Sequence, residues 1–118
     1  MGVDYTAFVC WGQRVKFTRD LRDALEEHAS LLSDNRVGYA EYGARNYGGD
    51  GGLILIIDGT YTSIDVKHPK AKPLPCDRDW NRVDGAMRIQ DVVYGLRQRG
   101  VNVETEGEPG WLVCGHVW

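Results

Sequence analysis

The sequence predicts an α+β domain in which two helices pack on an antiparallel or mixed sheet, as a two-layer sandwich. Two segments repeat apolar residues at helical spacing, several alternate apolar and polar residues as strands do, and residues 53–57 are apolar on both faces. The predicted order is β-α-β-β-β-α-β-β. Its βαββαβ core is compatible with a ferredoxin-like arrangement that carries extra strands.

Length and composition indicate one ordinary globular domain. The 118 residues, of which 42% are hydrophobic and 26% charged, are enough for a single domain over 1–118 with its own core. The net charge of -3 is too small to direct the whole molecule to nucleic acid. No leader or membrane segment is recognisable, and the three cysteines are widely spaced. We therefore expect a reduced protein in the cytoplasm with no membrane partner.

The first strand and the first helix follow from residues 3–32. Residues 3–11 alternate with a period of two, which predicts a strand. Thr18 is placed to cap a helix, and Asp20 lies where the helix dipole favours a carboxylate. The apolar stripe of this helix consists of Leu21, Ala24, Leu25, His28 and Leu32.

The middle of the sheet is predicted at residues 37–57. Residues 37–42 form a second strand, and the stretch 43–52, with five glycines, connects it to 53–57. Because both faces of 53–57 are apolar, this strand should be central and covered on both sides. A two-layer fold needs a cover for the second face. We expect either the proline-rich excursion that follows or another subunit, which would make a homodimer.

A hairpin and an excursion are predicted next. Asp58-Gly59 is the strongest short-range hairpin signal in the chain, because both turn positions need positive φ and these residues tolerate it. Residues 60–66 alternate and form the return strand. The segment at about 67–79 contains three of the four prolines, which exclude both a helix and a regular ladder.

The second helix and a terminal hairpin complete the chain. Asp79 is predicted to cap the helix and Gly100 to end it. Its apolar positions are Val83, Ala86, Ile89, Val93 and Leu96. Gly85 and Gly95 indicate either close backbone packing or a helix held mainly by tertiary contacts. Residues 101–105 and 111–117 flank a turn at 106–110.

Two candidate metal sites have simpler explanations. Cys114 and His116 are two apart on a strand and could supply half of a zinc site, but no second close pair of ligands is visible. Asp77 and Asp79, with Asp84 further on, resemble carboxylate clusters that hold Mg²⁺ or transfer protons. A capping role for Asp79 and solvation of the other carboxylates explain them more simply, and we assign no metal.

Nucleophilic catalysis and phosphate binding are also disfavoured. Cys76 would need a base beside it, and His68 is eight residues away across prolines. The glycine-rich residues 48–52 could cradle phosphate through backbone amides, but no Lys-Ser/Thr follows them and the next element is a strand. We expect a wide loop there, and neither a cofactor nor a catalytic residue is assigned.

Three short patches resemble small uncharacterised proteins encoded by bacteriophages of actinobacteria and other bacteria. They are the opening Met-Gly-Val-Asp-Tyr, the loop at 46–51 and the segment 107–111. The resemblance implies an intracellular phage accessory or host-interaction protein in the host cytoplasm, some of which inhibit bacterial defences. It transfers no catalytic residue to this chain.

The sequence as a whole favours a non-enzymatic binding protein that acts by occluding a protein partner, because aromatic residues and arginine near loops are typical interface anchors. The predicted partner-binding residues are Tyr42, Arg45, Tyr47, Asp50, Lys67, His68, Lys70, Lys72 and Trp80. The alternative is a nucleotide or nucleic-acid binding protein. It would use the glycine-rich loop at 48–52 and the lysine run, which consists of Lys67, His68, Lys70 and Lys72. Its affinity would fall steeply with salt.

Overall fold

The computed structural model describes residues 5–43, 52–64 and 81–117. The elements in these ranges are β1 (Tyr5–Val15), α1 (Arg19–Glu27), α2 (Ala29–Asp34), β2 (Val37–Tyr42), β3 (Gly52–Ile57), β4 (Thr62–Ile64), α3 (Arg82–Gln98) and β5 (Thr105–Val117). The α+β class is confirmed. The element order differs from the predicted one, since a second short helix follows α1 and one strand replaces the terminal hairpin.

The first strand is the centre of the sheet. Prediction ended it at residue 11, whereas β1 continues to Val15 because it is paired on both edges. One edge pairs antiparallel with β3 and then with β4, and the other pairs antiparallel with β5. β2 extends the sheet beyond β3. The predicted central position of residues 53–57 is confirmed, because β3 lies between β1 and β2 and is buried throughout.

The hairpin predicted at Asp58-Gly59 is wrong. β3 and β4 both pair with β1 and run in the same direction, so β4 continues along β1 from where β3 leaves it. Gly59 has the positive φ of 88° that the local sequence favours. The buried Thr60 hydroxyl accepts a hydrogen bond from the Trp11 amide at 3.1 Å and donates one to the Ile57 carbonyl at 2.7 Å. The turn therefore separates two strands that pair with the same edge of β1, and it does not reverse the chain.

The predicted terminal hairpin is also wrong. Residues 105–117 form the single strand β5, which pairs along the length of β1. The predicted turn at 106–110 falls on an irregularity of this ladder, where Gly12 faces Gly110 and Arg14 faces Glu106. Gln13 alone therefore lies opposite residues 107–109, and Gly107 takes a φ of 69° there. The turn residues produce a bulge instead of a reversal.

The second apolar face of β3 is covered by the sheet itself. Ile54 and Ile56 pack with Phe8 and Cys10, and half-buried side chains from β2 and β5 complete this inner cluster; these are Ala40, Tyr42, Leu112 and Cys114. The sheet curls far enough that the Gly43 amide donates to the Gly115 carbonyl at 3.0 Å. The two predicted covers, an excursion and a second subunit, are therefore not needed at Ile54 and Ile56. The excursion at 67–79 lies outside the described residues.

The main core lies on the opposite face of the sheet, beneath the helices. Leu53, Leu55 and Ile57 pack there with buried side chains from all three helices of the described residues, including Leu25, Leu32 and Leu96. Strand residues therefore alternate strictly between the main core and the inner cluster, as the two-residue period requires. The structure is thus a curled antiparallel sheet with helices on its outer face.

The helix caps are partly as predicted. Thr18 caps α1, since its hydroxyl accepts from the Leu21 amide at 3.0 Å, and Asp20 lies in the first turn. The first helical segment breaks at His28, whose φ and ψ of -105° and 35° are not helical. Asp79 is not the cap of α3. Asn81 takes this role, with its side-chain oxygen accepting from the Asp84 amide at 2.9 Å.

The packing of α3 also departs from the predicted stripe. Ile89, Val93 and Leu96 are buried as predicted, but Val83 is exposed. Close packing is confirmed at Gly95, where an added Cβ would lie 2.9 Å from Leu31 Cδ2. α2 therefore approaches α3 at a position where only glycine fits without movement of Leu31.

Arg36 is strained, and its replacement by glycine should stabilise the protein. Arg36 follows the cap of α2 and has a φ of 54°, in the left-handed region that favours glycine. We expect Arg36→Gly to raise the free energy of unfolding by up to about 1 kcal/mol, because relief of strain exceeds the added entropy of the unfolded chain. Urea denaturation measures the change. Arg36→Ala removes the same side chain without relieving the strain, so a gain of equal size in that variant would contradict this explanation.

Candidate functional site

Most of the predicted partner-binding residues lie outside the described residues. This applies to Arg45, Tyr47, Asp50, Lys67, His68, Lys70, Lys72 and Trp80. Tyr42 is described and is half-buried at the end of β2. Its ring covers the cross-strand partner Gly52, so closely that a Cβ there would overlap the ring. Tyr42 therefore has a packing role, and its role in partner binding stays a prediction.

A different surface has the shape and composition of a binding site. An open cavity of about 500 Å³ lies between α3 and β5 and is lined chiefly by apolar side chains. Its lining includes Trp11, Arg82, Val83, Met87, Pro109 and Trp111. Val83 is 70% exposed and Met87 58%, and they lie one turn apart on α3, so that they form a contiguous exposed apolar patch of the kind that marks interaction sites. We call this surface the α3–β5 groove.

The groove extends along α3 towards its end. A second cavity of about 400 Å³ is lined by Ala86, Gln90 and Pro109, which also line the first cavity, and continues to Val93 and Arg97. The wall on one side is thus a single helix face, and the wall on the other side is β5. The two cavities therefore adjoin each other along α3.

The bulge of β5 shapes this groove. Gln13 is buried, and its Nε2 donates to the Glu106 carbonyl at 2.9 Å and to the Gly107 carbonyl at 3.0 Å. These bonds hold the backbone that leads into Glu108 and Pro109, both of which line the groove. A buried amide that satisfies several carbonyls fixes the loop in one conformation. The shape of the groove is therefore built into the fold.

Charges in and beside the groove are distributed unevenly. Arg82 lies at the start of α3 and is exposed. The Asp84 carboxylate next to it is held by Arg88 at 2.7 Å. At the far end, the Arg97 guanidinium donates to the Val103 carbonyl at 2.7 Å, and Glu108 is exposed. Among the described residues that line the groove, the cationic end is therefore the one at Arg82.

Tyr39 is a second aromatic residue of β2, and its surroundings are polar. It lies on β2, and partial burial followed by the charges of Glu26 and Glu41 raises its pKa, against a lowering effect of Arg22. Arg22 approaches Glu41 at 3.8 Å. This surface is a polar margin of the main core, unlike the apolar groove.

The cysteines in the described residues have the properties of packing groups. Cys10 is fully buried in the inner cluster, where it packs as a small hydrophobe. Burial, and secondarily the neighbouring Cys114, raises the pKa of Cys10 to about 12. Burial also raises the pKa of Cys114, although Arg14 partly opposes this effect. A thiol with a raised pKa is a poor nucleophile and a poor metal ligand at neutral pH.

The candidate metal and thiol sites gain no support from the described residues. No group of three or more potential ligands occurs in the part of the chain that the structure describes. Cys76, Asp77 and Asp79 lie outside that part, and the side chain of His116 is not described.

Sequence reasoning missed the α3–β5 groove for an identifiable reason. Val83 fits the three-to-four residue spacing of the buried stripe, so it was assigned to the core. The available signal was a second stripe, because Val83, Met87 and Tyr94 also share one helix face and are all exposed in the structure. This second stripe lies away from the main core, which the helical spacing alone could not indicate.

Comparisons with other proteins add no identification. No family model, curated protein or solved structure matches this chain. Among the helices of residues 5–43, 52–64 and 81–117, none combines the length and apolar character needed to cross a bilayer.

Proposed function

We propose that this protein is a non-enzymatic binding protein that acts through the α3–β5 groove. The partner is another protein, which places apolar side chains against α3 and β5 and has that part of its surface occluded. This mode of action suits a host-interaction inhibitor of the kind that the phage resemblance implies.

The observation that carries the proposal is that exposed apolar side chains line a concave surface. Val83 and Met87 are largely exposed, yet both line a cavity of about 500 Å³ that also reaches Trp11 and Trp111. Tryptophan, methionine and arginine are enriched at protein interfaces, and energetically important contacts concentrate in pockets from which a partner excludes water. Burying exposed apolar surface contributes about 25 cal/mol per Å² to binding before the costs of association are subtracted.

The alternative, a nucleotide or nucleic-acid binding protein, depends on residues outside the described ranges. Its glycine-rich loop and lysine run remain predictions. Retention on DNA or RNA that declines steeply with salt would support it.

Serine substitutions in the groove test the proposal. Because a partner would bury Val83 and Met87, we expect the double variant Val83→Ser, Met87→Ser to lose at least tenfold in affinity, or about 1.4 kcal/mol. The measurement is affinity capture from host lysate with quantitative mass spectrometry, followed by titration of whatever protein is captured. Exposed positions of this kind change folding stability by roughly 0.5 kcal/mol or less, which thermal unfolding can verify.

Val113→Ser is the matched control. Val113 is 76% exposed, comparable to Val83 at 70%, but it does not line the groove. It should leave capture unchanged. Identical capture by the double variant and by the native protein would show that the groove is not the binding site.

A further inference from the structure

The length of the α3–β5 groove limits what can occupy it. The residues that line its two adjoining cavities follow α3 from Arg82 to Arg97, a distance of about 22 Å at 1.5 Å per residue. An extended segment of roughly six or seven residues covers that distance at about 3.3 Å per residue. The groove is therefore matched to a short segment of a partner protein.

The charge at the start of α3 sets a preference at one end. Arg82 lines the main cavity and also a neighbouring cavity formed by the first turn of α3 with Met87. The Asp84 carboxylate, the nearest negative charge on the helix, is compensated by Arg88 at 2.7 Å. The first turn of a 17-residue helix adds partial positive charge at the same place. At the opposite end Arg97 and Glu108 both line the groove, and their charges balance among the described lining residues.

Combining these observations, we propose that the groove binds a protein segment whose apolar side chains contact Val83 and Met87 and whose flanking aspartate or glutamate pairs with Arg82. The inference rests on the proposed function and deepens it, because it names the chemistry and the polarity of the bound segment. The carboxylate fixes which way the segment runs along α3. The apolar contacts supply most of the affinity, and the charge pair supplies direction and selectivity.

A displayed library of random twelve-residue peptides tests the proposal with a defined probe. Peptides are selected on the native protein, and those that still bind the double variant Val83→Ser, Met87→Ser are discarded. The remaining, groove-dependent peptides should carry an acidic residue at a fixed distance from their apolar residues. Arg82→Glu should weaken their binding at least tenfold, and a fresh selection on that variant should favour lysine or arginine at the same position.

Arg19→Glu is the matched control for the charge reversal. Arg19 is the first residue of α1 after its cap, as Arg82 is the first of α3, and both are exposed. It should leave peptide binding unchanged, and circular dichroism confirms that each variant is folded.

The outcomes separate this inference from the proposed function. Groove-dependent peptides without an acidic preference, or with binding unaffected by Arg82→Glu, would overturn the inference and leave the groove as a binding site. If no selected peptide depends on Val83 and Met87, the proposed function and the inference both fail.

Discussion

Replacing Gly12 by alanine is expected to destabilise the protein by about 3 kcal/mol, a large fraction of the free energy of unfolding of a typical domain. Gly12 is buried in β1, between Ile56 of β3 and Gly110 of β5. A Cβ there would overlap the carbonyl oxygen of Leu55 and lie 3.0 Å from Ile54 Cγ2. Leu55 belongs to a fully paired and buried strand, so its carbonyl cannot rotate away as a flexible side chain would. Relief therefore requires β1 and β3 to separate.

The measurement is the free energy of unfolding from urea denaturation, and Gly110→Ala is the control. Gly110 is the cross-strand partner of Gly12, but an added Cβ there meets no heavy atom within 4 Å. We expect that variant to be neutral or slightly stabilising. Alanine reduces the conformational entropy of the unfolded chain, which raises the free energy of unfolding by roughly 0.5 kcal/mol. Equal losses in both variants would show that glycine is needed for general flexibility of the ladder and not for close approach at Leu55.

Replacing Thr60 by valine is expected to cost about 1–3 kcal/mol, although the side chain keeps its size. The Thr60 hydroxyl is fully buried, and it supplies the acceptor for the Trp11 amide at the point where β3 leaves β1. It also donates to the Ile57 carbonyl at 2.7 Å. Valine removes both hydrogen bonds while water stays excluded, so the cost includes desolvation of groups that lose their partner.

Thr60→Ser separates the hydroxyl from the methyl group. Serine keeps the hydrogen bonds and loses one buried methyl, worth about 0.8 kcal/mol. Serine should therefore be the milder change when both variants are compared by thermal unfolding. A valine variant as stable as the native protein would mean that the Thr60 hydroxyl does not stabilise the turn between β3 and β4.

Local signals predicted only part of the local structure in this chain. The Thr18 cap depends on one side chain and the first turn of α1, and it was predicted correctly. The burial of residues 53–57 followed from their composition alone. Asp58-Gly59 did form a turn with positive φ at Gly59, but whether a turn reverses the chain depends on which strand pairs next. Here β1 was the partner on both sides of the turn, and that choice is made by contacts distant in sequence.

The candidate site was harder to predict than the fold. Helical spacing placed Val83 on a stripe with Ile89 and Val93, but spacing does not specify which stripe meets the sheet. That is decided by the close contacts of α3, such as Gly95 against Leu31, and by the position of the β5 bulge. The fixation of that bulge by Gln13 joins residues 93 apart in sequence, which no local pattern could indicate.

The pairing of β1 with β5 has a consequence for how the protein is made. The central strand β1 is synthesised before the other strands of the sheet, whereas its longest partner follows only after α3 has been made. Until then one edge of β1 lacks its partner, and exposed strand edges favour association with other chains. Closing a ladder between such distant segments is also entropically costly, so folding is expected on the millisecond-to-second timescale typical of non-local sheets. Stopped-flow refolding should therefore show β1–β5 pairing as a late step, and overexpression at high temperature should favour aggregation during synthesis.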